Sequence, residues 1–378
     1  MEHNELYEKL RVLLSFGSVI PFPKHKATHT LLSNLFNEEE AKIVVLGIKK
    51  VHTPVNLGEI SNSFEICETD IREKLDDMAD KGLIQKIAPE EYMALPYYPG
   101  ILPNYSIFKK ADLDSMRKVS EANSELMELS WIQEISAGDY GLFRVLPAIG
   151  PMEKTIKINE SVEVENTILP HEIIKEHISN IEPQKFSVVP CACRDSSKLA
   201  GDPCKKTNEN FCVFAGNAAE EITAKGFGRE VSFDELMELF KRAEKEGLVH
   251  QTTNIQGSTT IICNCCPCCC IYISSYIETS SAGAEARSNF APERNTDLCV
   301  LCEKCSRICP VEAIFHHYPH RKDATDDYMM VRSEICLGCG VCASNCPNDA
   351  ITLKKVRDIE PAKDYVEMMG KYLEGRTH

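Results

Sequence analysis

Two cysteine runs constrain this chain more than any other feature. Cys299, Cys302, Cys305 and Cys309, followed by Pro310, spell C-x2-C-x2-C-x3-C-P, and Cys336, Cys339, Cys342 and Cys346, followed by Pro347, spell it again. A cubane [4Fe–4S] cluster needs four thiolates converging on one small object. Three come from a tight loop whose x2 spacing aims successive sulfurs inward, and the fourth arrives from elsewhere. In the two-cluster pattern the fourth cysteine of each run serves the other cluster. That rule assigns Cys299, Cys302, Cys305 and Cys346 to one cluster, and Cys336, Cys339, Cys342 and Cys309 to the other. All-cysteine zinc sites also use C-x2-C pairs. Eight cysteines in this order, each run closed by proline, favour iron–sulfur ligation.

Residues 313–315 after the first run and 350–353 after the second read as matched short strands. The stretch is therefore an internal repeat of cysteine loop, turn and strand. It resembles the bacterial-type dicluster ferredoxins, and the resemblance implies a pseudo-twofold fold and one-electron transfer at low potential. The insert from Tyr318 to Arg332 lengthens the connection between the runs and predicts an extra loop over one cluster.

A second cysteine-rich region precedes it. Residues 185–190 read as a strand delivering Cys191, Cys193 and Arg194, and Cys204 and Cys212 follow in a loop marked by Gly201, Asp202 and Pro203. Helices are expected at 217–225 and 232–245, the second opened by a Ser232/Glu235 capping box and stopped at Gly247. A second strand, 258–262, then delivers Cys263, Cys265, Cys266, Cys268, Cys269 and Cys270, six cysteines in eight residues. Side chains alternate along extended chain, and Pro267 prevents a regular helix, so neighbouring thiols cannot all face one cluster.

The economical arrangement lays the two strands side by side, with four ligands drawn from Cys191, Cys193, Cys204, Cys212 and the 263–270 run. Ten cysteines could hold one cluster with spares, two clusters, or a cluster plus zinc; reactive thiols and zinc buffering are the alternatives. His250 could be a non-cysteine ligand, but a hydrogen-bonded structural histidine is the plainer reading. The Cys-x-Cys-Arg, Gly-Phe-Gly-Arg, Gly-Leu-Val-His and Cys-Asn-Cys-Cys-x-Cys-Cys-Cys series resembles a domain fused to ferredoxin modules in anaerobic bacteria and archaea, the 4Fe–4S ferredoxin-type proteins. That resemblance spans residues 95–355 and implies extra metal binding with no activity attached.

The N-terminal part reads as helix 5–14, a break at Gly17, Pro21 and Pro23, then helices 38–49, 56–64 and 68–81 and an alternating strand 83–87. This order resembles a winged-helix domain of the kind found in transcription regulators. A DNA-reading helix should show basic or amide side chains. Residues 68–81 instead show Glu68, Asp70, Glu73, Asp76, Asp77 and Asp80 against Arg72, Lys74 and Lys81. Nucleic acid is therefore not an expected partner. Cys67 is either a thiol activated by the helix start or a small buried residue. A Pro- and Gly-rich connector spans 96–110, followed by helix 112–135 with Trp131, strand 142–146, extended segments over 147–163 and a short helix 170–178. Residues 361–373 read as an amphipathic helix with Tyr365, Met368, Met369 and Leu373 on one face.

A chain of 378 residues with 43% hydrophobic and 26% charged content is expected to fold into several domains. The expected class is α+β and multi-domain: a winged-helix-like domain (1–95), an α/β Cys-rich middle domain (96–290), a bacterial-type 2[4Fe–4S] ferredoxin domain (291–356) and a C-terminal helix (357–378). The acidic start lacks an apolar export signal and no run reaches the length of a membrane span, so a cytoplasmic location is expected. Nineteen cysteines there point to metal ligation in a well-reduced, anaerobic setting.

No Rossmann, Walker A, Gly-x-Ser-x-Gly or His-Glu-x-x-His motif is present. The expected function is electron transfer through two [4Fe–4S] clusters and at least one further Fe–S or zinc centre. Redox proteins are the expected partners, and the N-terminal domain would dock one of them or a second copy, the net charge of −15 steering it toward a basic patch. The alternatives are a reductase whose middle centre takes substrate, with Arg194 binding an anion, and a redox-responsive winged-helix regulator.

Overall fold

The computed structural model describes residues 3–64, 66–161, 168–257, 259–318, 327–374 and 376. It divides into two compact units, Met1–Ile135 with Cys191–Pro203, and Ser136–Pro190 with Cys204–His378.

In the first unit, helices His3–Ser15, Lys26–Leu35 and Glu38–Lys42 come first. Asn37 and Glu40 form a reciprocal capping box at the start of the third, satisfying two of its orphan N–H groups. That helix runs on through a π-helical turn, Ile43–Ile48. Then follow β1 (Val55–Asn56), helices Leu57–Asn62 and Glu68–Asp80, and strands β2 (Ile84–Ala88) and β3 (Glu91–Ala94). The three strands pair antiparallel in the order β1-β3-β2. The apolar stripe of Glu68–Asp80 is buried as its spacing requires, with Ile71, Leu75 and Met78 fully covered. Trp131 donates its indole N–H to Pro21 O at 2.9 Å and packs against Phe22 and Tyr97. The helix expected over 112–135 is broken into Leu113–Leu126, a π-helical turn Met127–Trp131 and Ile132–Ser136.

In the second unit, strands β4 (Phe143–Leu146), β5 (Phe186–Val189), β6 (Cys212–Ala215), β7 (Arg229–Val231), β8 (Val249–Thr253) and β9 (Ile261–Cys265) make one antiparallel sheet in the order β4-β8-β9-β6-β5-β7. The two cysteine-delivering strands, β5 and β9, are thus not neighbours: β6 lies between them and pairs with both. Cys212-Val-Phe-Ala is a short apolar run, and burying it in the sheet outweighs leaving it in a loop. Since β5 and β9 both run antiparallel to β6, they point the same way.

A second departure is the helix Ile149–Ser161, where extended chain was expected; residues 162 and 163 of that expectation lie outside the described residues. Gly150 and Pro151 fall in its first turn, where a missing N–H costs nothing. Met152 packs with Phe290 and Leu353, and Thr155 Oγ1 donates to Leu353 O at 2.8 Å.

Strands β10 (Phe290–Arg294), β11 (Ile314–His317), β12 (Tyr328–Val331) and β13 (Ile351–Lys355) complete the unit, β10 pairing with β13 and β11 with β12. Most of the loop expected over one cluster, 319–326, lies outside the described residues. In the terminal helix Tyr365–Glu374 the buried residues are Met368 and Tyr372, whereas Tyr365 and Leu373 are exposed. The chain just before it is pinned where Ala362 N donates to Asn254 O at 3.2 Å. Among the described residues no helix is long and apolar enough to cross a membrane.

One buried histidine gives this unit a pH dependence. His177, in the helix Ile174–Ser179, is 4% exposed and its Nε2 has no hydrogen-bond partner. Burial, with Arg144 and His171 adding to it, lowers its pKa from 6.5 to about 3. The unfolded chain takes up a proton below pH 6.5 that the folded one refuses, so this contribution to stability is lost as pH falls below 6.5. From pH 7 to pH 5 the loss is about 2 kcal/mol at 1.36 kcal/mol per unit. His177→Leu is expected to remove that part of the slope in urea unfolding followed over this range; an unchanged slope would refute it.

Candidate metal centres

The two C-x2-C-x2-C-x3-C-P runs adopt the same backbone. At equivalent x2 positions, Leu301 and Gly338, and Glu303 and Gly340, all have positive φ (54°, 71°, 58° and 75°). These left-handed residues curl each loop so that successive sulfurs turn inward. Short helices follow, Lys304–Ile308 and Val341–Ser344. Ala313 N donates to Cys309 Sγ and Ala350 N to Cys346 Sγ, both at 3.2 Å. The repeat therefore extends to N–H···S bonds.

The runs differ in surroundings. A Cβ at Gly338 would lie 2.1 Å from Phe290 O, and one at Gly340 would lie 2.9 Å from Leu353 Cδ1 and 3.3 Å from Ala148 Cβ. The first run carries Leu301 and Glu303 at these positions, both half-buried, with Leu301 against the core of Cys305 and Ile314. In the first run Cys302 is exposed and only Cys305 is buried, while Cys336, Cys339 and Cys342 of the second are all buried, at 7%, 9% and 7% exposed.

Cys299, Cys302, Cys305 and Cys346 line one cavity, with Leu298, Val300 and Ile314 among its walls. Cys309, from the first run, lies instead close enough to Cys336, Cys339 and Cys342 that its charge bears on all three. Burial pushes the thiols of Cys305, Cys336, Cys339 and Cys342 up, and the neighbouring cysteines add to it. Sulfurs crowded in this way are unfavourable as thiolates unless cationic metal sits among them. The residues present fit iron–sulfur groups.

A buried polar chain joins the second run to the six-stranded sheet. Glu244, 3% exposed on the helix Phe233–Lys245, accepts from Ser344 Oγ at 2.6 Å and from Ile149 N at 2.8 Å. His250 on β8 lies with Nε2 3.2 Å from Glu244 Oε1 and Nδ1 2.6 Å from Asn264 Oδ1. Both ring nitrogens thus face protein oxygens, which makes His250 a structural residue. Asn264 stands between Cys263 and Cys265. Ala148 N donates to Cys339 O at 2.9 Å, and Asn345 Nδ2 to Glu244 O at 2.8 Å.

The six-cysteine run divides into two groups. Cys265 shares hydrogen bonds with Cys263 and Cys270, which together with burial push its thiol well up. Cys270 Sγ lies 3.6 Å from Gln251 Oε1, and Gln251 Nε2 donates to Glu285. Glu285 is fully buried, and that burial, with the Cys270 charge beside it, holds its carboxyl protonated well above the usual range. The other group is Cys266, Cys268 and Cys269, which meet Cys204 from the preceding loop, all four sulfurs within 4.8 Å of one another.

The remaining candidates lie elsewhere. Cys212 opens β6, opposite Val189. Cys191 and Cys193 belong to the first unit, around the start of the helix Ala192–Leu199, whose Arg194 is buried. Cys67 is exposed at the start of Glu68–Asp80.

Sequence reasoning missed Glu244, Gln251, Glu285 and Ser344. Glu244 alone left a trace: with Leu236 and Phe240 it occupies an i, i+4, i+8 stripe otherwise apolar. An acid on such a stripe implies a buried partner.

No curated protein and no solved structure matches the chain. Residues 298–356 match the family model of the 4Fe-4S dicluster domain. That match spans both cysteine runs, and with the compact group at Cys204, Cys266, Cys268 and Cys269 it marks the chain as a metal-binding iron–sulfur protein with a ferredoxin-type domain in its C-terminal part.

Proposed function

We propose that the chain is an electron-transfer protein carrying two [4Fe–4S] clusters in its ferredoxin-type domain and a further metal centre in its Cys-rich middle region, serving a redox protein partner. When bound, such clusters supply one-electron couples whose potentials depend on burial and on hydrogen bonds to sulfur. The observation that carries this reading is the contrast between the two quartets. In the first, Cys302 is exposed, Cys299 and Cys346 are half-buried and only Cys305 is buried, beside Leu298 and Val300 at 46% and 62% exposed. Cys336, Cys339, Cys342 and Cys309 lie beneath, against the polar chain of Ser344, Glu244 and His250. The outer quartet is the port for exchange with a partner, and the inner one leads towards the six-stranded sheet.

The helix–strand–helix–helix–strand–strand order of residues 38–94 supports a winged helix, and its charges support protein rather than nucleic-acid docking. Arg72, Lys74 and Lys81 are engaged by Glu90, Glu39 and Glu40 at 2.9–3.1 Å. They are not displayed toward a phosphate backbone.

The port is testable. Val300→Lys is expected to slow oxidation of the reduced protein by cytochrome c, a basic acceptor, roughly three- to tenfold at low salt through like-charge repulsion. Iron and sulfide contents should not change. Stopped-flow rates equal to those of the wild type would remove this face from the path, and a reduced protein that passes no electrons would refute the reading itself.

A further inference from the structure

The four sulfurs of Cys204, Cys266, Cys268 and Cys269 are spaced on a scale of their own. After β9 the chain turns at once: Cys270 N donates to Cys266 O at 3.3 Å, closing a tight loop around Pro267. That loop brings Cys266, Cys268 and Cys269 to one point, where Cys204 meets them. Cys204 Sγ lies 3.8 Å from Cys268 Sγ, and Cys269 Sγ lies 3.7 Å from Cys268 Sγ.

A single metal ion with four thiolates at about 2.3 Å sets the sulfurs on a tetrahedron of edge about 3.8 Å. A cubane interposes four irons between its cysteine sulfurs, which holds them roughly 6 Å apart. The Cys204–Cys268 and Cys268–Cys269 separations match the smaller figure, and all four sulfurs, within 4.8 Å of one another, fall short of the larger. Among the described residues, this is the one group of possible ligands that compact.

The surroundings suit a charged tetrathiolate. Lys206 N donates to Cys204 Sγ at 3.5 Å, and the Lys205 backbone N–H bonds Cys268. Two consecutive amides thus point at two of the four sulfurs. Cys266 and Cys269 are 1% and 8% exposed. Four protein ligands leave no coordination position open, which is the mark of a structural rather than a catalytic site.

We propose that Cys204, Cys266, Cys268 and Cys269 hold one zinc ion in a closed four-thiolate site. It fixes the turn after β9 and takes no part in electron transfer. Binding displaces the four thiol protons to solvent, so no oxidant or reductant is involved. This names the further centre of the reading above, and its failure is separable from the failure of that reading.

The test uses the full chain, purified without oxygen, as wild type and as Cys268→Ser. Wild type should contain about one zinc beside about eight irons and eight sulfides. Zinc-edge X-ray absorption should show four sulfurs at about 2.3 Å and no metal–metal scattering. Cys268→Ser should lose the zinc and keep its iron and sulfide. Loss of about four irons with matching sulfide instead would overturn the proposal in favour of a cluster. A single iron in place of zinc, seen as ferric–thiolate absorption on oxidation, would overturn the non-redox role. Should the variant fail to fold, absorption of the wild type alone decides, and absent zinc or mixed ligation would sink the site. Zinc bound without iron would refute the ferredoxin reading and leave this one standing; iron without zinc would do the reverse.

Discussion

Cys309→Ala and Cys342→Ala are expected to produce the same defect, although the two residues lie in different cysteine runs. Each should lower iron and sulfide by about four per chain and remove the same component of the reduced spectrum. Cys346→Ala should pair instead with Cys305→Ala. The reason is spatial: Cys346 lines the cavity with Cys299, Cys302 and Cys305, while the charge of Cys309 is felt at Cys336, Cys339 and Cys342. The inner pair should be the more damaging to folding. Three of the four inner thiols, Cys336, Cys339 and Cys342, are buried, against Cys305 alone in the outer quartet, so ligand loss there leaves more buried thiols with no compensating metal. Electron paramagnetic resonance of the four single variants, each purified without oxygen, reads the pairing directly. If Cys309→Ala matched Cys305→Ala, each run would serve its own cluster and the crossed assignment would fall.

Glu244→Ala should be the most destabilising change away from the cysteines. Burial opposes the Glu244 charge, but the bonds from His250, Ser344 and Ile149 N–H outweigh it, and its pKa lies below the ordinary carboxylate value. A depressed folded-state pKa means that this stability is present above pH 4.5 and is lost as pH falls through the folded value. Removing the carboxylate strands His250 Nε2, Ser344 Oγ and the Ile149 N–H in a dry interior. One broken buried network of this kind costs about 3–5 kcal/mol, or roughly 10 °C in Tm for a unit of this size. Glu244→Gln keeps one acceptor oxygen and should lose about half as much. Thermal unfolding without oxygen is the check, and a Glu244→Ala protein within 1 kcal/mol of wild type would mean the network carries little.

Much of the iron–sulfur chemistry was legible in the sequence because it is local. The x2 spacings, the prolines and the left-handed turns all act within a few residues, and the spelling of the runs implies their loops. Amphipathic helices such as Glu68–Asp80 and Phe233–Lys245 were legible for the same reason, since their periodicity is carried in thirteen residues each. What failed was non-local. Nothing in the spelling of Cys212-Val-Phe-Ala says that it inserts between β5 and β9. Gly150 and Pro151 read as breakers, yet in a first turn they break nothing. The six-cysteine run showed that its thiols must divide, but not that Cys204 would complete one group. The partners Gln251 and Glu285 came from segments with no motif.

The most direct test of the central claim is a reductive titration of the full chain, stepwise with dithionite under argon, followed by low-temperature electron paramagnetic resonance. Two ferredoxin-type clusters predict reversible uptake of about two electrons per chain and, on full reduction, the broadened signal of two interacting paramagnets. Uptake of no electrons by iron-loaded protein, or of one alone with a single isolated signal, would contradict the account.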